Sequence, residues 1–249
     1  MSAVRVIHAG FHKTGTSTIE HFLLRNANVL RPHLEVIATP QLGEVVALAK
    51  RYSAAPKPAR LSAFAAAFAQ AMPPQDRPTL VSCVDLCGGM PGDPGVQDYR
   101  AAPALVGAMR AAGPARFAFG VRPGAAWLRS LWMQNLKVHR LTDDLEAFAA
   151  RFAAVSDLDV QTAALEDASG GSVLRLPLEM GATHPLGLAG PLLELFGLPD
   201  ISLLPQKPLK VGLRPDMAAL LLKMNRSDLS DADLRRTKSD ALALMKATQ

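Results

Sequence analysis

Aromatic residues are scarce in this chain: Phe, Trp and Tyr make up 5% of its 249 residues, although 49% are apolar. Ala and Leu supply the bulk instead. A core of that kind suits helix surfaces packed on a sheet, so the composition favours α/β over all-β. Cysteine is nearly absent as well. Cys83 and Cys87 stand in one C-x3-C segment, with no second ligand pair to complete a zinc site, and read as reduced core thiols. Long hydrophobic runs are missing. No stretch reaches the roughly 20 residues of a membrane span, and the apolar run within Met1 to Gly10 is too short for a secretory signal. The expectation is a cytoplasmic protein with no membrane partner.

A strong charge imbalance is also lacking. With 27 basic and 22 acidic residues the formal net charge is +5, too little for a nucleic-acid clamp and enough to tolerate a small polyphosphorylated ligand. No repeat or linker divides the chain. Residues 1–249 are expected to form a single domain, with a helical C-terminal region over about 214–249.

What is present is an alternation of short apolar runs and helical patterns. Val4 to Ala9 (VRVIHA), Thr79 to Val84 (TLVSCV), Arg116 to Val121 (RFAFGV) and Ser172 to Leu176 (SVLRL) read as strands. Helices are expected at Ser17 to Arg25, twice within Pro40 to Met72 around a break at Ala54 to Pro58, and at Ala101 to Ala112. Further helices are expected at Ala125 to Arg140, Asp144 to Val155 and Leu188 to Leu195, followed by two in the tail with an N-cap at Ser230 or Asp231. Strands alternating with helices imply a mostly parallel, helix-covered sheet. Ligands of such sheets bind at the carboxyl ends of the strands, where the loops after Ala9, Val84 and Val121 would converge.

The first of those loops carries the most specific signal. Gly10-Phe11-His12-Lys13-Thr14-Gly15-Thr16-Ser17 joins a strand to a helix, with its two glycines at the separation found in a P-loop. Its lysine is displaced. Thr16 follows the second glycine, and Lys13 lies inside the loop, two residues before Gly15. Backbone N–H groups at the helix start would cradle phosphate oxygens and Lys13 would add a point charge, but this is not an NTPase pattern.

Lys13-Thr14-Gly15-Thr16-Ser17 resembles the 5'-phosphosulfate loop of the sulfotransferases that use 3'-phosphoadenosine-5'-phosphosulfate, which reads roughly Lys-x-Gly-Thr-Ser. The resemblance implies that Lys13, Gly15, Thr16 and Ser17 hold the phosphosulfate, with Gly10 and Thr14 in the same loop. It extends to Arg122 at the end of the third expected strand and Ser130 eight residues on, which resemble the family's pair for the 3'-phosphate. Lys207 and Lys210, in Gln206 to Gly212, match a basic segment that closes over that phosphate in many members, and read equally as an exposed basic loop. Two departures stand out: Arg122 meets Pro123 directly, and Thr18 occupies the place of an adenine-stacking aromatic.

The implied fold is a three-layer, mostly parallel sheet of the P-loop-like sulfotransferase type. The implied reaction is sulfuryl transfer to a hydroxyl or amine of a small molecule or glycan, yielding adenosine 3',5'-bisphosphate and requiring no metal. For the proton acceptor, Asp85 comes first, because Ser82-Cys83-Val84-Asp85 resembles a strand-end segment facing the donor, and His12 second. Each also has a structural reading, as a loop-capping carboxylate and a loop-bracing imidazole. His8, Trp127 and Trp132 read as core, Arg129 as surface, and His139 and His184 receive no role. Two rival readings remain, a P-loop kinase or NTPase and a family member that binds the donor or its product without transfer.

Overall fold

The computed structural model describes residues 4–74, 76–171, 173–198, 201–205 and 213–247. Five strands, β1 (Arg5–His8), β2 (Glu35–Ala38), β3 (Thr79–Ser82), β4 (Arg116–Val121) and β5 (Leu174–Pro177), pair in the order β2-β3-β1-β4-β5. Every pairing is parallel, with Ile7 facing Val81 on one side and Phe117 on the other. The helices are α1 (Thr16–Arg25), α2 (Ala27–Leu30), α3 (Gly43–Ala54), α4 (Pro58–Ala71), α5 (Ala102–Ala111) and α6 (Gly124–Val138). After them come α7 (Leu145–Phe152), α8 (Leu158–Ser169), α9 (Met180–Thr183), α10 (Gly190–Glu194), α11 (Pro215–Asn225) and α12 (Asp231–Ala247).

The two-residue period of the strands sorts the core into two halves. Ile7, Ile37, Val81, Phe117 and Phe119 face a layer that includes α3 to α8 and α11, in a cluster with Phe64, Trp127, Phe148 and Leu221. Val6, Leu80, Ala118 and Leu176 face the opposite layer, where Ile19, Phe22 and Leu23 of α1 pack with Leu30 of α2 and Leu192 of α10. The result is a three-layer α/β fold. No helix among the described residues is long and apolar enough to cross a membrane.

Several elements differ from the sequence expectation. β2 was not anticipated: Glu35 to Ala38 is only four residues long and its outer half is partly exposed, so its hydrophobic signal is short. It forms the sheet edge beside β3, which makes Thr79 to Ser82 the third strand in the chain. α8 was also unanticipated, although Asp157 caps it by accepting from the N–H groups of Asp159 and Val160. The helix expected over Leu188 to Leu195 is a 3-10 turn at Gly187–Ala189 followed by the short α10. Ser172 lies outside the described residues, and β5 runs Leu174–Pro177. In the tail Ser230 is the cap of α12: its Oγ accepts from the Asp233 N–H at 3.2 Å and donates to Asp233 Oδ2 at 2.7 Å.

The strand order places the site. From β1 the chain turns toward β3 and β2, whereas from β4 it turns away toward β5, so the connections leaving these adjacent strands diverge. A crevice opens at such a point, beyond the carboxyl ends of the strands. The loop Gly10 to Ser17 and the turn Arg122–Pro123 stand on either side of it.

Candidate functional site

The loop after β1 is built by backbone conformation. Gly10 (φ 44°) and Gly15 (φ 96°) adopt the left-handed region, as does Lys13 (φ 69°), the one non-glycine to do so among the described residues. Close packing makes the first glycine necessary. A Cβ on Gly10 would come within 2.6 Å of Thr16 Oγ1. Thr14 closes the loop by donating its hydroxyl to the Phe11 carbonyl at 2.5 Å, and it rests on β4 at Gly120, where a Cβ would lie 2.3 Å from Thr14 Oγ1. Gly15 is the N-cap of α1, and no side chain caps that helix. The first N–H groups of α1 therefore remain for a ligand, and the helix dipole adds positive potential there. Thr16 Oγ1 is buried without a hydrogen-bond partner among the described residues, a polar atom that an anionic ligand would satisfy.

Around this loop is a cavity of about 490 Å³. His12, Lys13, Gly15, Thr16, Ser17, Asp85, Arg122 and Ser130 all line it, so residues from β1, β3, β4 and α6 meet in one place. Gly10 and Thr14 lie behind it, shaping the loop. Lys207 and Lys210 lie outside the described residues. Across the cavity, Lys13 Nζ donates to Gln134 Oε1 at 3.2 Å, and Arg122 Nη1 donates to the Lys13 carbonyl at 3.4 Å. Burial lowers the Arg122 pKa, against the opposing charge of Glu179. The guanidinium stays charged, since its ordinary value is far above neutrality.

His12 is bound on every side. Its backbone N–H donates to Tyr99 Oη at 3.2 Å, its carbonyl accepts from Trp127 Nε1 at 2.8 Å, and its Nδ1 lies 3.3 Å from the same Tyr99 hydroxyl. Its Nε2 is 3.1 Å from Asp85 Oδ1. Because Tyr99 Oη accepts from the His12 backbone, its own proton can go to Nδ1. Its Nε2 carries a hydrogen and donates it to Asp85. Lys50 Nζ reaches the same Asp85 Oδ1 at 2.9 Å, while Oδ2 takes no bond among the described residues. Burial alone would raise the Asp85 pKa and is the largest single influence. The bonds and charges of His12 and Lys50 together outweigh it and hold the carboxyl below its usual range.

The remaining expectations fall out simply. His8 and Trp127 are fully buried and Trp132 is nearly so, its Nε1 donating to the Asp143 carbonyl at 3.0 Å, whereas Arg129 is exposed. Cys83 and Cys87 are free and buried, and burial raises the Cys83 thiol to about 11. The cavity also contains residues to which the sequence reading gave no role: Lys50, Asp93, Gln134 and His139. Gln134 stands one helical turn beyond Ser130 on α6, so the i, i+4 spacing is a signal that could have found it. Asp93 and His139 pair at 2.9 Å across 46 residues of sequence, and Lys50 and Asp85 are similarly remote, so nothing local marks them. Among the described residues no group of three or more His, Cys, Asp or Glu side chains is placed to hold a metal ion. Searches against protein-family models, curated proteins and solved structures gave no match.

Proposed function

We propose that the protein is a sulfotransferase using 3'-phosphoadenosine-5'-phosphosulfate as donor and a hydroxyl-bearing small molecule or glycan as acceptor. One observation carries the reading: the displaced-lysine loop and the Arg122–Ser130 pair line the same cavity, at the diverging point of a parallel sheet. A donor with phosphate at both ends asks for two such anion sites. The uncapped start of α1, the unpartnered Thr16 hydroxyl and the charge of Lys13 fit the phosphosulfate end, and the Arg122 fork with the Ser130 hydroxyl fits the 3'-phosphate.

The donor supplies an activated sulfuryl group. A bond from the acceptor oxygen to sulfur forms as the bond from sulfur to the 5'-phosphate oxygen breaks, and the acceptor proton must leave. Lys13, already oriented by Gln134, faces the charge that accumulates on the departing phosphate, and the α1 N–H groups add to it. Like phosphoryl transfer, the step depends mainly on positioning and electrostatics. Asp85 presents Oδ2 to the acceptor hydroxyl, and the proton passes to this carboxylate, whose other oxygen is fixed by His12 and Lys50. His12 acts as a positioning residue for Asp85, since both its ring nitrogens are engaged.

Calorimetric titration with adenosine 3',5'-bisphosphate and with ATP tests the donor. The bisphosphate is expected to bind and to stabilise the fold by about 2.7 kcal/mol at a hundredfold excess over its Kd. Preference for ATP would overturn the reading in favour of a kinase or NTPase.

A further inference from the structure

The far end of the cavity, away from Arg122, holds a second imidazole–carboxylate pair. His139 Nε2 lies 2.9 Å from Asp93 Oδ1, and Asp93 Oδ2 accepts the Met90 N–H at 2.9 Å, so both oxygens of that carboxylate are committed. An aspartate only accepts, so in the neutral form of the ring the hydrogen is on Nε2 and Nδ1 is the acceptor. That nitrogen takes no bond among the described residues, while the ring lines the cavity with its side chain 28% exposed.

The backbone around His139 is rigidly held. His139 is the C-cap of α6, and its carbonyl accepts from Lys238 Nζ of α12 at 2.7 Å, Lys238 itself being only 5% exposed. Asn225 of α11 donates to the carbonyls of Leu136 and Leu141, on either side, at 3.3 and 2.9 Å.

Polar and apolar groups share this end. Lys50 offers N–H donors, while Asp85 Oδ2 and His139 Nδ1 offer acceptors; Val84, Met90 and Val138 supply the apolar surface. No Phe, Tyr or Trp lines the cavity among the described residues. A flat aromatic acceptor would find no Phe, Tyr or Trp to stack on, and its burial would strip Asp85 and Lys50 of water without compensation. Hydroxyl groups on adjacent carbons, by contrast, donate to separate acceptors and accept from Lys50.

We propose that the Lys50–Asp85–His139 end of the cavity binds a polyhydroxylated acceptor, a sugar or polyol, one hydroxyl of which donates to His139 Nδ1. The inference rests on the sulfuryl-transfer reading only in calling that molecule the acceptor. His139 is a specificity-determining residue here, and the transferring hydroxyl sits nearer Asp85 and Lys13.

Saturation-transfer NMR tests it without requiring turnover. Methyl α-glucoside, maltose and myo-inositol are compared with phenol and β-naphthol on the parent, on His139→Ala and on Asp93→Asn, each checked for folding by circular dichroism. His139→Gln replaces His139→Ala if the latter does not fold. Polyols are expected to bind the parent and to bind His139→Ala about tenfold more weakly, the loss of one hydrogen bond, with Asp93→Asn between the two. Phenols bound in preference, no polyol bound, or polyol binding indifferent to His139 would each overturn the proposal. Parallel titration with adenosine 3',5'-bisphosphate separates the two readings. Bisphosphate binding without polyol binding removes the acceptor site alone, whereas His139-dependent polyol binding without bisphosphate binding removes the donor alone.

Discussion

Trp127 Nε1 donates to the carbonyl of His12 at 2.8 Å, joining the first turn of α6 to the middle of the loop after β1. The indole is fully buried, so the bond is shielded from water and both partners depend on it. Trp127→Phe keeps most of the packing and leaves the carbonyl unsatisfied. It should cost about 1–3 kcal/mol in urea unfolding and weaken bisphosphate binding, because the loop loses its brace. A variant with unchanged stability and affinity would show that the loop is held by other contacts.

Lys13 separates loop shape from loop charge. A lysine at φ 69° carries backbone strain that glycine does not. Lys13→Gly should therefore melt no lower than the parent, whereas sulfate transfer should fall by about two orders of magnitude or more, the scale seen when one charge-stabilising donor is removed. Radiolabelled-donor assays beside thermal melts would read both effects; a large drop in melting temperature would contradict the strain argument.

Gly120 is the strand residue on which the loop rests. Its α-hydrogen faces Thr14, and a methyl group there would lie 2.3 Å from Thr14 Oγ1. Gly120→Ala should push Thr14 off its bond to the Phe11 carbonyl, costing about 1–3 kcal/mol. Calorimetry should show weaker bisphosphate binding as well. Thr14→Gly, which removes the Oγ1 and Cβ atoms nearest the added methyl group, should cost little further stability in the Gly120→Ala background, and that would localise the clash.

Acid sensitivity should come partly from His8. The ring is fully buried, its Nδ1 lies 3.0 Å from Ser82 Oγ, and burial lowers its pKa from 6.5 to about 4. Between those values the unfolded chain takes up a proton that the folded chain refuses. Stability from this group is thus intact above the unfolded value and falls as pH drops, with a slope of at most about 1.4 kcal/mol per pH unit. A His8→Leu/Ser82→Ala variant should flatten that part of a plot of unfolding free energy against pH. An unchanged slope would assign the acid limb to other groups.

Much of this arrangement is visible in the chain itself, because its signals are local. The glycines and lysine of Gly10 to Ser17, the strand Arg116 to Val121 and the spacing of Arg122 and Ser130 all act within a few turns of one another. β2 escaped notice since four residues at a sheet edge give too little alternation to count, and α8 because its buried residues Leu158, Thr162, Leu165 and Ser169 mix polar with apolar types along the inner face. The Lys50–Asp85–His139 end of the cavity is hidden for a different reason. Lys50 meets Asp85, and Asp93 meets His139, only after the sheet has brought distant segments together, and an isolated His or Lys in sequence carries no trace of its partner.

The strand that leads into the loop Gly10 to Ser17 sits in the middle of the sheet and precedes both of its neighbours in sequence. β1 needs β3, which begins at Thr79, on one flank and β4, which begins at Arg116, on the other. Until β3 and β4 have been made, Lys13 belongs to a segment without its sheet neighbours, and the Lys238 contact that fixes His139 lies more than a hundred residues after β4. The sheet around the loop Gly10 to Ser17 can thus be assembled well before the contact that fixes His139 is made.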